Sequence, residues 1–151
     1  MSRPKSLKPK FQKSCHMKIV IYANVIKDTK NRVQFPYGIA EFRSFIFRHF
    51  VCADQPYRHD NTRAVEGDII VWAFKDEKDS WHLLGDGFVK GKEKDRTAWR
   101  FWIDGARLYP RSVQLDELPF AETAKKSLYV GYVIDWKDYR KVLEKAIKPL
   151  V

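Results

Sequence analysis

The sequence predicts an α+β domain whose sheet is mostly antiparallel and curled. Apolar runs with a period of two follow one another through the middle of the chain, and segments with a helical period sit toward its margins. A third observation is Ile69 to Phe74, apolar on both faces, which marks a buried central strand and leads us to expect closure toward a barrel.

The first strand spans 18–26, with Ile19, Ile21, Ala23 and Val25 on one face and Val20, Tyr22, Asn24 and Ile26 on the other. Asn24 is the polar intruder. After a turn-like stretch at 27–32, Phe42, Phe45, Ile46 and Phe50 recur at helical spacing and predict an amphipathic helix over 39–50. Residues 52–65 lack periodicity and read as a long polar loop. Gly67-Asp68 opens the central strand, and charged residues 75–80 turn the chain out of it.

The returning strand covers 81–90, with Gly85 and Gly87 flanking Asp86 where a Cβ would obstruct a bulge or a close backbone approach. A turn at 90–96 leads to a strand over 97–104, in which Trp99, Phe101 and Ile103 share one face and Arg100 and Trp102 the other. A short strand around Leu108 and Tyr109, a break at Pro110 and a helical turn at 115–118 follow. The last strand is expected over 128–134. Asp135 then caps a closing helix, with Asp138 completing a variant capping box and Tyr139, Val142, Leu143, Ala146 and Ile147 lining one face.

The 151 residues fit one domain, long enough to bury roughly 70% of the surface an unfolded chain would expose. The 29 Lys+Arg against 19 Asp+Glu leave a formal charge of +10. Such a balance favours polyanions, because neutralising phosphates releases condensed counterions. Half of the surplus sits in residues 1–17, where Arg3, Lys5, Lys8, Lys10 and Lys13 meet no acid. That segment reads as a basic arm, a leader, or the consequence of a start that belongs at Met17; the domain proper is 18–151.

No apolar stretch has the length of a membrane span or the layout of a signal peptide, so a cytoplasmic protein with no membrane partner is expected. Cys15 and Cys52 stand apart from each other and from the scattered histidines, which predicts reduced thiols, no metal and no cofactor. The sequence has no Gly-x-Ser-x-Gly elbow, no phosphate-binding Gly-x-x-x-x-Gly-Lys-Ser/Thr loop and no His-Glu-x-x-His. No catalytic residue is assigned.

Three runs carry a resemblance: Val65-Glu-Gly-Asp-Ile-Ile-Val-Trp72, Leu83-Leu-Gly-Asp-Gly-Phe-Val89 and Val113-Gln-Leu-Asp-Glu-Leu118. In this order and spacing they resemble the PUA-like superfamily, in particular its EVE and ASCH branches, over roughly residues 18–147. The closing Ile134-Asp-Trp-Lys-Asp-Tyr139 fits the same layout. The resemblance implies a five- or six-stranded pseudo-barrel with flanking helices. It also implies binding of RNA, or of a modified base flipped into an aromatic pocket as in the related YTH readers. The chain departs from the EVE pattern at Tyr22-Ala-Asn-Val25, where a Ser-Glu-Pro-like turn is usual, and in its Phe-rich helix.

The expected function is a nucleic-acid-binding module for RNA or DNA, single-stranded or with a flipped base. The candidate base pocket is Tyr22, Asn24, Trp72, Trp81, Asp86, Trp99 and Trp102. Trp72 and Trp99 lie on apolar faces and suit the core, while Trp81 and Trp102 have polar neighbours and suit stacking. Asn24 could hydrogen-bond a base edge or a partner within the fold, and Asp86 could read an amine or serve the bulge. Arg58, Arg63, Lys90, Lys92, Lys94, Arg96 and Arg100 are the candidate phosphate contacts, with a solvated surface as the plain alternative. A hydrolase or nuclease on an ASCH-like fold, and a specificity or accessory domain with a protein partner, are the rival readings.

Overall fold

The computed structural model describes residues 17–27, 30–60 and 63–147; the basic segment at 1–16 lies outside the described residues. In chain order the elements are β1 (Ile19–Val25), α1 (Ile39–Ile46), β2 (Tyr57–His59), β3 (Ile69–Lys75), β4 (Trp81–Asp95), β5 (Ala98–Gln114), α2 (Ala121–Lys125), β6 (Tyr132–Ile134) and α3 (Trp136–Ala146). A π-helical turn at Phe47–Val51 extends α1, and 3-10 turns occupy Leu115–Glu117 and Leu128–Val130.

The six strands form one mixed sheet in the order β2-β5-β4-β3-β1-β6. β1 and β3 run parallel, from Ile19 opposite Ile69 to Val25 opposite Lys75, because the chain crosses through α1 between them. The other neighbours are antiparallel. The expected barrel does not close. Its two would-be seams, β2 and β6, are edge strands of three residues each that pair only with β5 and β1.

Alternation along the strands builds two cores, one on each face. Ile19, Ile21, Ala23, Val71 and Ala73 pack with Tyr139, Val142 and Ala146 of α3 and with the 115–128 segment. Val20, Tyr22, Ile70, Trp72 and Phe74 pack against Phe42, Ile46 and Phe50 of the first helix and its extension. Phe42 stacks on Phe74 at 5.1 Å and Phe50 on Trp72 at 5.1 Å. Each such ring, fully buried, contributes about 1.5–3 kcal/mol by removal from water. β3 is thus the buried centre that its continuous apolar run predicts.

The β4–β5 hairpin curls the sheet. Trp81 and Leu83 of β4 and Tyr109 and Val113 of β5 belong to the first core, whereas Leu84, Val89, Phe101 and Ile103 belong to the second. Irregularities of register between Leu83 and Gly85, Asp86 and Phe88, and Val89 and Gly91 accompany this transfer. Both strands run longer than expected. β5 passes through Pro110 without a break, because Pro110 lies between Leu108 and Val113, where the register against β4 shifts and a missing N–H is tolerated.

Three further elements differ from the sequence expectation. The 52–65 loop contains β2, which antiparallel pairing to β5 holds extended. α2 is a helix of five residues at Ala121–Lys125 that no periodicity signals. The last strand is shorter, because Gly131 at φ 87° separates a 3-10 turn from β6. The closing helix starts as expected, with the Asp138 backbone N–H donating to Asp135 Oδ1 at 2.8 Å.

Candidate functional site

Two adjoining clefts open where β1 ends. One, of about 610 Å³, is lined by residues of the β1 end, the 32–35 segment, Arg58, His59, Asp60, Thr97 and Ala98. The other, of about 480 Å³, lies over α1 and is lined by Glu41, Phe45, Arg48, His49, Gln55, Pro56 and Tyr57 among others. They share four residues: Asn24, Gln34, Phe35 and Arg58. Both volumes fall in the range of small-ligand sites.

Local bonding explains these walls. The Gln34 and Phe35 N–H groups donate to the Ile26 carbonyl, at 2.7 and 3.3 Å, which holds these two residues beside the end of β1. The Phe35 ring then meets Phe42, Phe45 and Phe74 edge-on, which anchors the shared wall to the core. On the far side Phe45 and His49 lie one helical turn apart with ring centroids 4.3 Å apart, and the His49 Nδ1–H donates to the Phe45 carbonyl at 3.1 Å.

Asn24 sits on the floor, and its amide is engaged inside the fold. Nδ2 donates to the Ala73 carbonyl at 3.1 Å and to the Tyr22 carbonyl at 3.3 Å. Oδ1 accepts the Tyr57 hydroxyl at 3.0 Å. Asn24 therefore ties β1 to β3 and β2 and shapes the cleft. The His59 Nε2–H donates to the Ala23 carbonyl at 3.2 Å, and burial pushes the imidazole below its ordinary value, so the ring is neutral at pH 7. Tyr22 is wholly buried beside it, and its hydroxyl accepts the Ala64 N–H at 2.9 Å.

The hairpin sorts the candidate phosphate contacts by parity. Arg100 stands opposite Glu93 and Arg58, and its Nε lies 3.1 Å from Asp95 Oδ2 and its Nη1 3.5 Å from Glu93 Oε1. Arg58 reaches the same Asp95 at 3.2 Å, and the Arg100 bond holds that carboxyl below the usual carboxylate range. The Trp102 indole N–H donates to Glu93 Oε1 at 3.3 Å. On the opposite face Lys94 stands across from Trp99 and Lys92 across from Phe101, with both ammonium groups over the Trp99 ring at 4.8 and 4.7 Å. Lys90 pairs with Asp54 at 3.2 Å, Arg96 is exposed at the hairpin tip with φ 58°, and Arg63 is exposed.

The remaining base-pocket candidates lie elsewhere. Trp72 is fully buried against Phe50 and Tyr57, with its indole nitrogen unpartnered, so it is a core side chain. Trp81 is buried in the other core, where Tyr129 and the Lys75 ammonium meet its ring. Asp86 is buried and saturated. Its Oδ1 accepts the Arg107 Nε–H at 2.8 Å, and its Oδ2 accepts Arg107 Nη2 at 3.2 Å and the Tyr109 and Tyr139 hydroxyls at 2.7 Å each. Gly85 and Gly87 flank it because added Cβ atoms would collide with the Arg107 carbonyl and the Ile103 side chain. The seven candidates thus do not form one pocket: of them, only Asn24 lines the clefts.

Sequence reasoning missed Gln34, Phe35, Phe45, Arg48, His49, Tyr57 and His59. The Phe-rich helix and the Pro-Tyr-Arg-His loop were the available signals, and both lacked a partner until β2 paired with β5. Among the described residues no group of three or more His, Cys, Asp or Glu could hold a metal, and no helix is long and apolar enough to cross a membrane. No protein-family model, curated protein or solved structure matches the chain.

Proposed function

We propose that this protein is a PUA-like nucleic-acid-binding module that takes one base, unmodified or modified, from a single strand or an extruded duplex site into the joined clefts at the end of β1. The observation that carries the reading is the meeting of both clefts at Gln34, Phe35 and Arg58 above the internally fixed Asn24. A base requires planar apolar faces and edge groups that donate and accept. Phe35, Phe45 and His49 supply the first; the Gln34 and Gln55 amides supply the second. Arg32, Arg48 and Arg58 supply positive charge against Glu41 and Asp60. Asn24 acts here as a positioning residue.

Extruding a base costs a few kcal/mol from a duplex and much less from a single strand, so single strands are the favoured targets. The test is titration of the whole protein with fluorescent single- and double-stranded DNA and RNA, unmodified, methylated or with an abasic site, at two salt concentrations. The expected result is affinity that falls with salt and drops at least tenfold, about 1.4 kcal/mol, when the preferred base is removed. Phe45→Ala and Gln34→Ala should lose that base dependence. Binding no stronger than a peptide of residues 1–17 shows would overturn the reading.

A further inference from the structure

We infer that the cleft over α1 selects guanine. The Glu41 carboxylate accepts the N1–H and the 2-amino group of the base, the Arg48 guanidinium donates to O6 and N7, and Phe45 and His49 carry its face. This rests on the reading above that the clefts take one base, and it gives Arg48 a base edge rather than a phosphate.

The helix sets these side chains in one stripe. Glu41, Phe45, Arg48 and His49 stand at i, i+4, i+7 and i+8, the spacing of a single helical face, and all of them line the cleft. From Glu41 to Arg48 the backbone rises about 10 Å, at about 1.5 Å per residue. That leaves room for one ring system between a carboxylate at one end and a guanidinium at the other. Phe45 meets Phe35 at 5.3 Å and Phe50 at 5.5 Å, edge-on in both contacts, so its ring is fixed before a base arrives. The Gln55 N–H donates to the His49 carbonyl at 3.1 Å, which ties the facing wall at Gln55 and Pro56 to the π-helical turn.

Bonding within the fold leaves both ends of the stripe open. The Tyr37 N–H donates to Glu41 Oε1 at 3.1 Å. This bond occupies one lone-pair site of the carboxylate, and Oε2 has no partner among the described residues. Arg48 donates from Nε to Ser44 Oγ at 3.2 Å, and its Nη1 and Nη2 groups meet no carboxylate among the described residues. Arg58 and Arg100 differ, because Asp95 engages both. The His49 Nδ1–H is spent on the Phe45 carbonyl, which keeps the imidazole beside the Phe45 ring.

The chemistry of these ends decides the base. A carboxylate only accepts, and an unpaired one in a cleft that takes a polyanion repels it unless the ligand brings donors. Guanine alone among the common bases carries two neighbouring donors, N1–H and the 2-amino group, and it carries two neighbouring acceptors, O6 and N7, farther round the ring. Adenine and cytosine set a donor beside an acceptor, and uracil or thymine sets one N–H between two carbonyls. Each of these turns an acceptor toward Glu41. The order carboxylate, ring, guanidinium along α1 matches the order donors, ring, acceptors across guanine.

The test measures binding of the full chain to a single strand with one central guanine. The comparison strands carry adenine, cytosine, uracil, hypoxanthine, 7-deazaguanine or an abasic site at that position, and guanosine monophosphate serves as the free ligand. Guanine should bind at least about tenfold tighter than the other three bases, within the range of one well-made bidentate pair. Hypoxanthine, which lacks the 2-amino group, and 7-deazaguanine, which lacks N7, should each bind several-fold more weakly than guanine. Glu41→Ala should shrink the gap between guanine and hypoxanthine and keep that between guanine and 7-deazaguanine. Arg48→Ala should do the reverse. A melting transition for each variant checks the fold, and general loss of stability does not produce the crossed pattern.

Base dependence without a preference for guanine overturns this assignment and leaves the base pocket. A guanine preference that neither variant reduces overturns the roles of Glu41 and Arg48. Guanosine monophosphate bound where no strand binds upholds the choice of guanine and overturns the strand-binding reading. Equal binding of the intact and abasic strands, or no binding of any strand or nucleotide, overturns both.

Discussion

The Tyr57 hydroxyl donates to Asn24 Oδ1 at 3.0 Å, so the only amide on β1 is committed to the edge strand across the interior rather than to the cleft above it. Asn24→Ala should destabilise the protein by about 2–3 kcal/mol, because it leaves a buried hydroxyl and two carbonyls short of partners. Tyr57→Phe should cost about 1 kcal/mol, since it removes one donor and keeps the ring. The double variant should cost less than the two single changes together. Urea unfolding measures all three. A neutral Asn24→Ala that instead weakens oligonucleotide binding would return the amide to the role of base reader.

Gly85 and Gly87 differ in what a side chain would strike. At Gly85 an added Cβ meets the backbone carbonyl of Arg107, and at Gly87 it meets the Ile103 methyl group with the Trp72 ring behind it. A carbonyl within a sheet cannot move without breaking the ladder, whereas a methyl group can turn. Gly85→Ala should therefore cost about 3 kcal/mol or more and Gly87→Ala about 1–2 kcal/mol, within the usual range for overpacking. Thermal denaturation that ranks them in the opposite order would contradict this account of the bulge.

The His59 imidazole lies below its ordinary value of 6.5 in the folded protein because burial disfavours its charged form. The unfolded chain then binds the proton more readily than the native one, so stability is complete above about pH 6.5 and falls as pH drops toward the folded value. Asp76 adds a second, lower window. Burial alone would raise its carboxyl, but bonds from His82 and from the Ser80 and Lys78 N–H groups outweigh it and hold it below the ordinary value. Its contribution is present above the ordinary carboxylate range and lost as pH falls through the folded value. Urea midpoints from pH 8 to pH 4.5 should decline below about pH 6.5, and His59→Gln should flatten that decline.

The strands and the capped helix were legible because their signals are local. Alternation in 19–25, the doubly apolar run at 69–74 and the Asp135–Asp138 pair each state their structure within a few residues, and the Gly-Asp-Gly sequence announces its bulge. Three features depend on partners distant in the chain. Tyr57–His59 has no strand pattern and becomes β2 only by pairing with 99–101. Pro110 reads as a break until the register against β4 is known to slip beside it. A doubly apolar run such as that of β3 predicts sheet closure, but helices on both faces bury a central strand as well as a barrel does. For the site the difficulty was the same: tryptophans announce burial and stacking alike, and only the register tells Trp72 under Phe50 from Trp102 beside Glu93.

Asp86 and Arg107 show how a residue that suggests recognition from sequence can be a structural hub. The carboxylate gathers Arg107 from β5, Tyr109 from β5 and Tyr139 from α3, and Arg107 Nη2 also lies 3.3 Å from the Tyr139 hydroxyl. The closing helix is thereby tied to the hairpin where it bends from one core to the other. Asp86→Ala strands two tyrosine hydroxyls and a guanidinium whose side chain is 49% exposed. The arginine is open to water while Tyr109 and Tyr139 are buried, so the loss should lie near 3 kcal/mol, at the lower edge of the range for a buried pair. Arg107→Ala should cost less, because Tyr109 and Tyr139 still satisfy Oδ2, while Tyr139→Phe should cost about 1 kcal/mol. Hydrogen exchange provides the sharper check: in Asp86→Ala the amides of 136–146 should exchange by a local opening faster than those of β3, because the tie that joins α3 to the sheet is cut while the core around β3 is untouched.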